Sequence, residues 1–182
     1  MTMHSDRQRP MTRTRPGITA LVALLLWAAS AVSVEAGDGV DLHRLWDDRC
    51  FDCHGHAGEF ARRSLSVVDG VLHGRHHGAD LQRFLANHYL PASEVDAVHA
   101  MLLAQAGQQE RFKTACSGCH GSAAGFVRDS IEWRDGTVHG RKSGRAVRAF
   151  LDGHRGLGPA EAEFFTALLE RVAREVYRPP GS

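Results

Sequence analysis

Cys50-Phe51-Asp52-Cys53-His54 and Cys116-Ser117-Gly118-Cys119-His120 are two copies of one pentapeptide pattern, and they hold all four cysteines of the chain. The spacing C-x-x-C-H is the attachment pattern of c-type haem. Two thiols so spaced reach the two vinyl groups of one porphyrin and form thioethers. The histidine directly behind them is then carried beneath the iron as its proximal ligand, and the protein tunes the metal through ligand identity, burial and hydrogen bonding. Two other chemistries use such pairs. A zinc ribbon joins two C-x-x-C pairs across about 15–20 residues. Here 63 positions separate Cys53 from Cys116, and a zinc site needs no histidine behind each pair. A disulfide or dithiol reading leaves both histidines without a role. Cys50, Cys53, Cys116 and Cys119 are therefore expected to bind two haem c groups covalently, with His54 and His120 as proximal ligands.

Outward from these motifs the chain repeats itself. At an offset of 66, Trp46 meets Phe112, Gly55 meets Gly121, Phe60 meets Phe126, and Arg62 meets Arg128. Asp69-Gly70 meets Asp135-Gly136, and His73-Gly74-Arg75 meets His139-Gly140-Arg141. Phe84, Leu85 and His88 meet Phe150, Leu151 and His154. Beyond them Pro91-Ala92 meets Pro159-Ala160 at an offset of 68, so the second copy carries two extra residues near 155–158. The halves run over residues 37–106 and 107–182, with the polar, glycine-containing stretch 104–109 as their seam.

Both halves show the same coarse pattern. A short helix with Leu42, Leu45 and Trp46 on one face precedes the first motif, and Phe112 marks its counterpart. A glycine-containing loop is expected after each motif, then a short helix with Leu81, Phe84 and Leu85, or Val147, Phe150 and Leu151. A turn with His88 or His154 leads to Pro91 or Pro159, and proline suits the first turn of a helix. The last helices carry Val95, Val98 and Leu102 in one half, and Phe165, Leu168, Leu169, Val172 and Val176 in the other, where Pro179-Pro180-Gly181 ends the run. No stretch is read as a strand, so the expected class is mainly α. About 70 residues is few for a self-sufficient core, and a porphyrin between short helices supplies the missing apolar volume.

Arg7, Arg9, Arg13 and Arg15 form a basic lead to the apolar run 18–34, and Val34-Glu35-Ala36 places a small residue before Gly37. Residues 1–36 are read as a cleaved signal peptide. The alternative is a retained membrane anchor, for which the run is slightly short. Of the 22 basic and 21 acidic side chains, four arginines and two acids lie in 1–36, leaving 18 and 19 in the remainder. Such a balance gives no reason to invoke nucleic acid or an anionic membrane surface.

With both halves in view, the chain resembles a dihaem c-type cytochrome built from two small cytochrome c-like domains. The resemblance covers residues 37–182 and rests on the aromatic helix before C-x-x-C-H-G, the middle helix and the last helix. It implies a distal iron ligand in the loop between the last two helices, usually methionine. There is none in that loop. Met101, on the last helix of the first half, is the only methionine beyond the leader and could serve the first haem alone; it is read as a core filler. Duplication narrows the histidines instead. His43, His56, His76, His77 and His99 have no histidine counterpart, which leaves His88 with His154 and His73 with His139. His88 and His154 occupy the loop where the family holds its distal ligand, and they are the favoured pair. The rival pair precedes the middle helix, beside Arg75 and Arg141, which are read either as haem-propionate partners or as surface charges.

Ligation by histidine on both faces implies low-spin, low-potential iron, because methionine raises the potential. The resemblance therefore implies an exported, periplasmic electron carrier, not an enzyme, serving redox protein partners alone or within a larger complex. Export agrees with haem attachment outside the cytoplasm. The alternative is a peroxidase-like enzyme or gas sensor in which one iron loses its distal ligand. No serine–histidine–acid pattern, phosphate loop or carboxylate pair stands out.

Overall fold

A computed structural model describes residues 40–78, 80–108 and 110–178. The basic lead, the apolar run with its cleavage site, and Pro179-Pro180-Gly181 lie outside the described residues. The described chain is mainly α-helical, as expected, and forms one compact unit.

In the first half, α1 (Leu42–Arg49) leads into a single turn, α2 (Phe51–His54), and then α3 (Ala57–Ser64). A hairpin of β1 (Leu65–Val68) and β2 (Val71–Gly74) follows, then α4 (Leu81–Ala86), a 3-10 turn at Ala92–Glu94, and α5 (Val95–Ala106). The second half repeats this order: α6 (Arg111–Ala115), α7 (Ser117–His120), α8 (Ala123–Ser130), β3 (Ile131–Arg134), β4 (Thr137–Gly140), α9 (Val147–Leu151), a 3-10 turn at His154–Gly156, and α10 (Pro159–Val176).

Two expectations are corrected. The segment after each motif is a helix, not a loop. In α3 the small residues Ala57 and Ala61 face inward and are buried, and in α8 Ala124 and Val127 do the same. Ser122 starts α8 by accepting a hydrogen bond from the Gly125 amide at 3.1 Å. Four short strands also exist. They pair as antiparallel hairpins, Leu65 opposite Gly74 and Ile131 opposite Gly140. Asp69 and Gly70 have φ of 50° and 77°, and Asp135 and Gly136 have 51° and 77°. Two successive left-handed residues make the type I′ turn whose twist matches paired strands.

Each half builds its own apolar core. Leu42, Trp46, Ala61, Leu72, Leu81, Leu85, Val98, Met101 and Leu102 form the first. Phe112, Val127, Ile131, Val138, Val147, Leu151, Phe165, Leu169 and Val172 lead the second. The inward strand residues Leu72 and Val138 sit at matching places and are 0% and 2% exposed. The last helices pack chiefly across the helices behind the motifs, α5 on α3 and α10 on α8. Tyr177, just past α10, donates its hydroxyl toward the carbonyls of Val127 at 2.8 Å and Ile131 at 2.9 Å, fastening the helix end to the α8–β3 corner.

Polar ties join the halves. Arg128 of α8 donates to Asp41, which caps α1, at 2.6 Å, and Arg62 of α3 donates to Glu110, which precedes α6. The two arginines are repeat partners, so each half reaches with the same residue toward the start of the other. His43 meets Glu175 at 2.8 Å, and Arg178 meets the buried Glu94 at 2.5 Å.

Candidate functional site

The one-turn helices α2 and α7 set the donors. The amides of Cys53 and His54 both return to the Cys50 carbonyl, at 3.3 and 2.9 Å, and those of Cys119 and His120 return to Cys116 at 3.1 and 3.0 Å. Side chains at i, i+3 and i+4 share one helix face, so two thiols and one imidazole emerge together in each half. All four cysteines are free thiols, the first of each pair half-buried and the second exposed. Burial pushes the Cys50 and Cys116 thiols up from their ordinary range. The glycine closing each motif is required by its backbone. Gly55 has φ 69° and ψ −158°, and Gly121 has 66° and −134°, a region that side chains with a Cβ avoid. Trp46 donates its indole N–H to the Gly55 carbonyl at 2.9 Å and fixes that corner; Phe112 has no such donor.

Across from each motif histidine stands the histidine of the α4 or α9 turn. The ring centres of His54 and His88 are 6.0 Å apart, and those of His120 and His154 are 6.3 Å apart. A first-row metal lies about 2.0–2.1 Å from a histidine nitrogen, and the ring centre about 1.1 Å further, so two imidazoles on opposite sides of one metal have centres roughly 6 Å apart. Both gaps match that spacing, with the ring planes inclined at 60° and 47°. Among the described residues, no group of three or more His, Cys, Asp or Glu side chains is placed to hold a metal ion. An opposed pair supplies two ligands only, fewer than the three or four that a metal site built from side chains alone uses.

Aromatic rings hold the histidines. Phe60 lies 4.6 Å from His54, and Phe126 lies 4.5 Å from His120. Phe84 stacks on His88 at 4.5 Å, and Phe150 lies 4.8 Å from His154. Burial, and next the charge of His88, hold the His54 imidazole below its ordinary 6.5; the neutral ring is the form that binds metal. Around His120 and His154 opens a cavity of about 580 Å³, walled by Phe112, Phe126, Ile131, Val147, Phe150 and Phe165 among others. That size suits a cofactor, since such pockets run ~300–1,000 Å³.

The residues directly after the opposing histidines are left-handed in both halves: Tyr89 at φ 56° and Arg155 at φ 53°. Such backbone costs energy for a bulky residue and gathers at ligand clamps. No pattern in the sequence marks it.

His73 and His139 sit elsewhere, on β2 and β4. His139 engages both ring nitrogens locally, one with Thr137 Oγ1 in its own hairpin at 2.9 Å and one with the carbonyl of Gly144, just beyond β4, at 3.1 Å. Arg141 is likewise occupied, donating to the Ile131 carbonyl at 2.7 Å and the Tyr177 hydroxyl at 3.1 Å. Met101 is 1% exposed in the first core.

No protein-family model, no curated protein and no solved structure matches this chain. Among the described residues no helix is long and apolar enough to cross a membrane.

Proposed function

We propose that the chain is an exported two-haem c-type cytochrome that carries single electrons between redox protein partners. The opposed imidazoles 6.0 and 6.3 Å apart, each pair beside two free thiols, carry this reading. Haem supplies a reversible one-electron couple. Cys50 and Cys53 hold one group and Cys116 and Cys119 the other, each through two thioethers. His54 and His120 bind from the motif side. His88 and His154 bind from the far side and occupy the position a small ligand would need, which favours a carrier over a peroxidase-like enzyme or gas sensor. Histidine in place of methionine keeps both potentials on the low side. The leader over residues 1–36 directs export.

The test is the purified exported protein. Its mass should exceed that of the mature chain by two haems, and its absorption and electron paramagnetic resonance spectra should be low-spin. His88→Ala or His154→Ala should each turn one of the two haems high-spin and open it to carbon monoxide, whereas His139→Ala should leave the spectrum alone. A colourless protein ends the proposal, and a spectrum disturbed only by changes at His73 or His139 ends the ligand assignment.

A further inference from the structure

The two halves match in their donors and differ in charge at the sequence positions that line the second cavity. Lys142, Arg145 and Arg155 line the cavity of the second half against a single carboxylate, Asp129. Arg145 places its guanidinium carbon 5.6 Å from the centre of the Phe150 ring, donates to the Ala149 carbonyl at 3.1 Å, and so flanks the ring that packs on His154. Among the described residues, no ion pair engages any of these three cations. In the first copy His76, Ala79 and Tyr89 stand at their positions, and Arg63 stands at that of Asp129. At three uncharged lining positions of the second copy, Thr114, Ala115 and Gly118, the first copy has Asp48, Arg49 and Asp52. With histidines neutral, the second set carries two net positive charges and the first set none.

Positive charge favours whichever state of a nearby site holds one more electron, an effect that solvent screens but does not abolish at exposed side chains. The carboxylates of a bound porphyrin are the same in both halves and cancel from the comparison. We infer that Lys142, Arg145 and Arg155 make the second site the more easily reduced of the two, so that the halves are graded and not equivalent. This rests on the reading that each half holds a haem. The reduction takes one electron from a one-electron donor and makes or breaks no bond.

A redox titration of the haem-loaded protein, followed optically, tests the inference. The wild type should show two separate one-electron waves. Replacing Lys142→Gln, Arg145→Gln and Arg155→Gln together should lower the higher wave by about tenfold in its equilibrium constant, about 59 mV for one electron, and leave the lower wave in place. All three side chains are exposed, so the fold should tolerate the change. The reverse variant, His76→Lys with Tyr89→Arg, should raise the lower wave and narrow the gap. A shift of the lower wave in the triple variant, or no shift of either wave, overturns the inference while the haem reading stands. A protein without haem overturns both.

Discussion

Tyr89 and Arg155 pose the same problem in each half: a side chain with a Cβ held left-handed immediately after a histidine that faces the motif. The left-handed conformation costs roughly 1–2 kcal/mol for such a residue, while glycine costs about 0.5–1 kcal/mol in chain entropy. Tyr89 is 82% exposed, so little burial is lost on truncating it. Tyr89→Gly is therefore expected to be neutral or up to about 1.5 kcal/mol stabilising, whereas Tyr89→Val should destabilise, because a β-branched residue fits that region worst. Thermal unfolding of the two variants checks this; equal losses would place the strain elsewhere. At this scale the sequence named the histidines that the fold brings near each other. Duplication alone narrowed the candidate partners of His54 and His120 to two pairs, because a repeated role requires a repeated residue. It could not show that His139 is occupied by Thr137 and Gly144, since those partners are brought to it by the fold.

Among the elements, the helices with large apolar residues were legible and those built on alanine were not. Trp46, Leu85 and Phe165 announce a buried face; Ala57, Ala61 and Ala124 bury just as completely but carry too little hydrophobic weight to mark a period. The hairpins escaped because each strand has four residues, too few for alternation to rise above chance. Their signal was the Asp-Gly pair in each copy, a turn chemistry and not a strand pattern. The hairpins therefore depend on those glycines. A Cβ at Gly70 or Gly136 would meet nothing within 4 Å, so substitution costs backbone energy alone. Gly70→Ala and Gly136→Ala should each lower stability by about 1–2 kcal/mol, read as a lower denaturant midpoint with an unchanged slope. Losses much beyond this would mean that the turn also holds the packing of Leu72 or Val138.

For the whole molecule, polar ties cross the seam between the halves. Asp41 caps α1 through the amides of His43 and Arg44 at 3.0 and 3.1 Å, and also accepts from Arg128. Burial alone would push its carboxyl up, but the Arg128 hydrogen bond, the Arg44 amide and the charges of Arg128 and His43 bring it below its ordinary 3.8. A depressed carboxyl contributes stability that is fully present above its unfolded value and is lost as pH falls through the folded one. Asp41→Asn, which keeps a capping oxygen, should then cost about 1.5–3 kcal/mol near neutral pH, as for a hydrogen bond to a charged group. The gap from wild type should close in acid below the folded carboxyl value. A gap independent of pH would show that Asp41 acts only as a cap. The reciprocal ties of Arg62 to Glu110 and Arg128 to Asp41 reach further. The arginines are equivalent but their acceptors are not, since Asp41 aligns with Gly107 and Glu110 with Arg44, so the contact only approximates the self-matching surface by which identical subunits form a two-fold pair. Carried on one polypeptide, the two sides meet at an effective concentration on the order of millimolar. Contacts too weak to hold two separate molecules are then enough to keep the copies together.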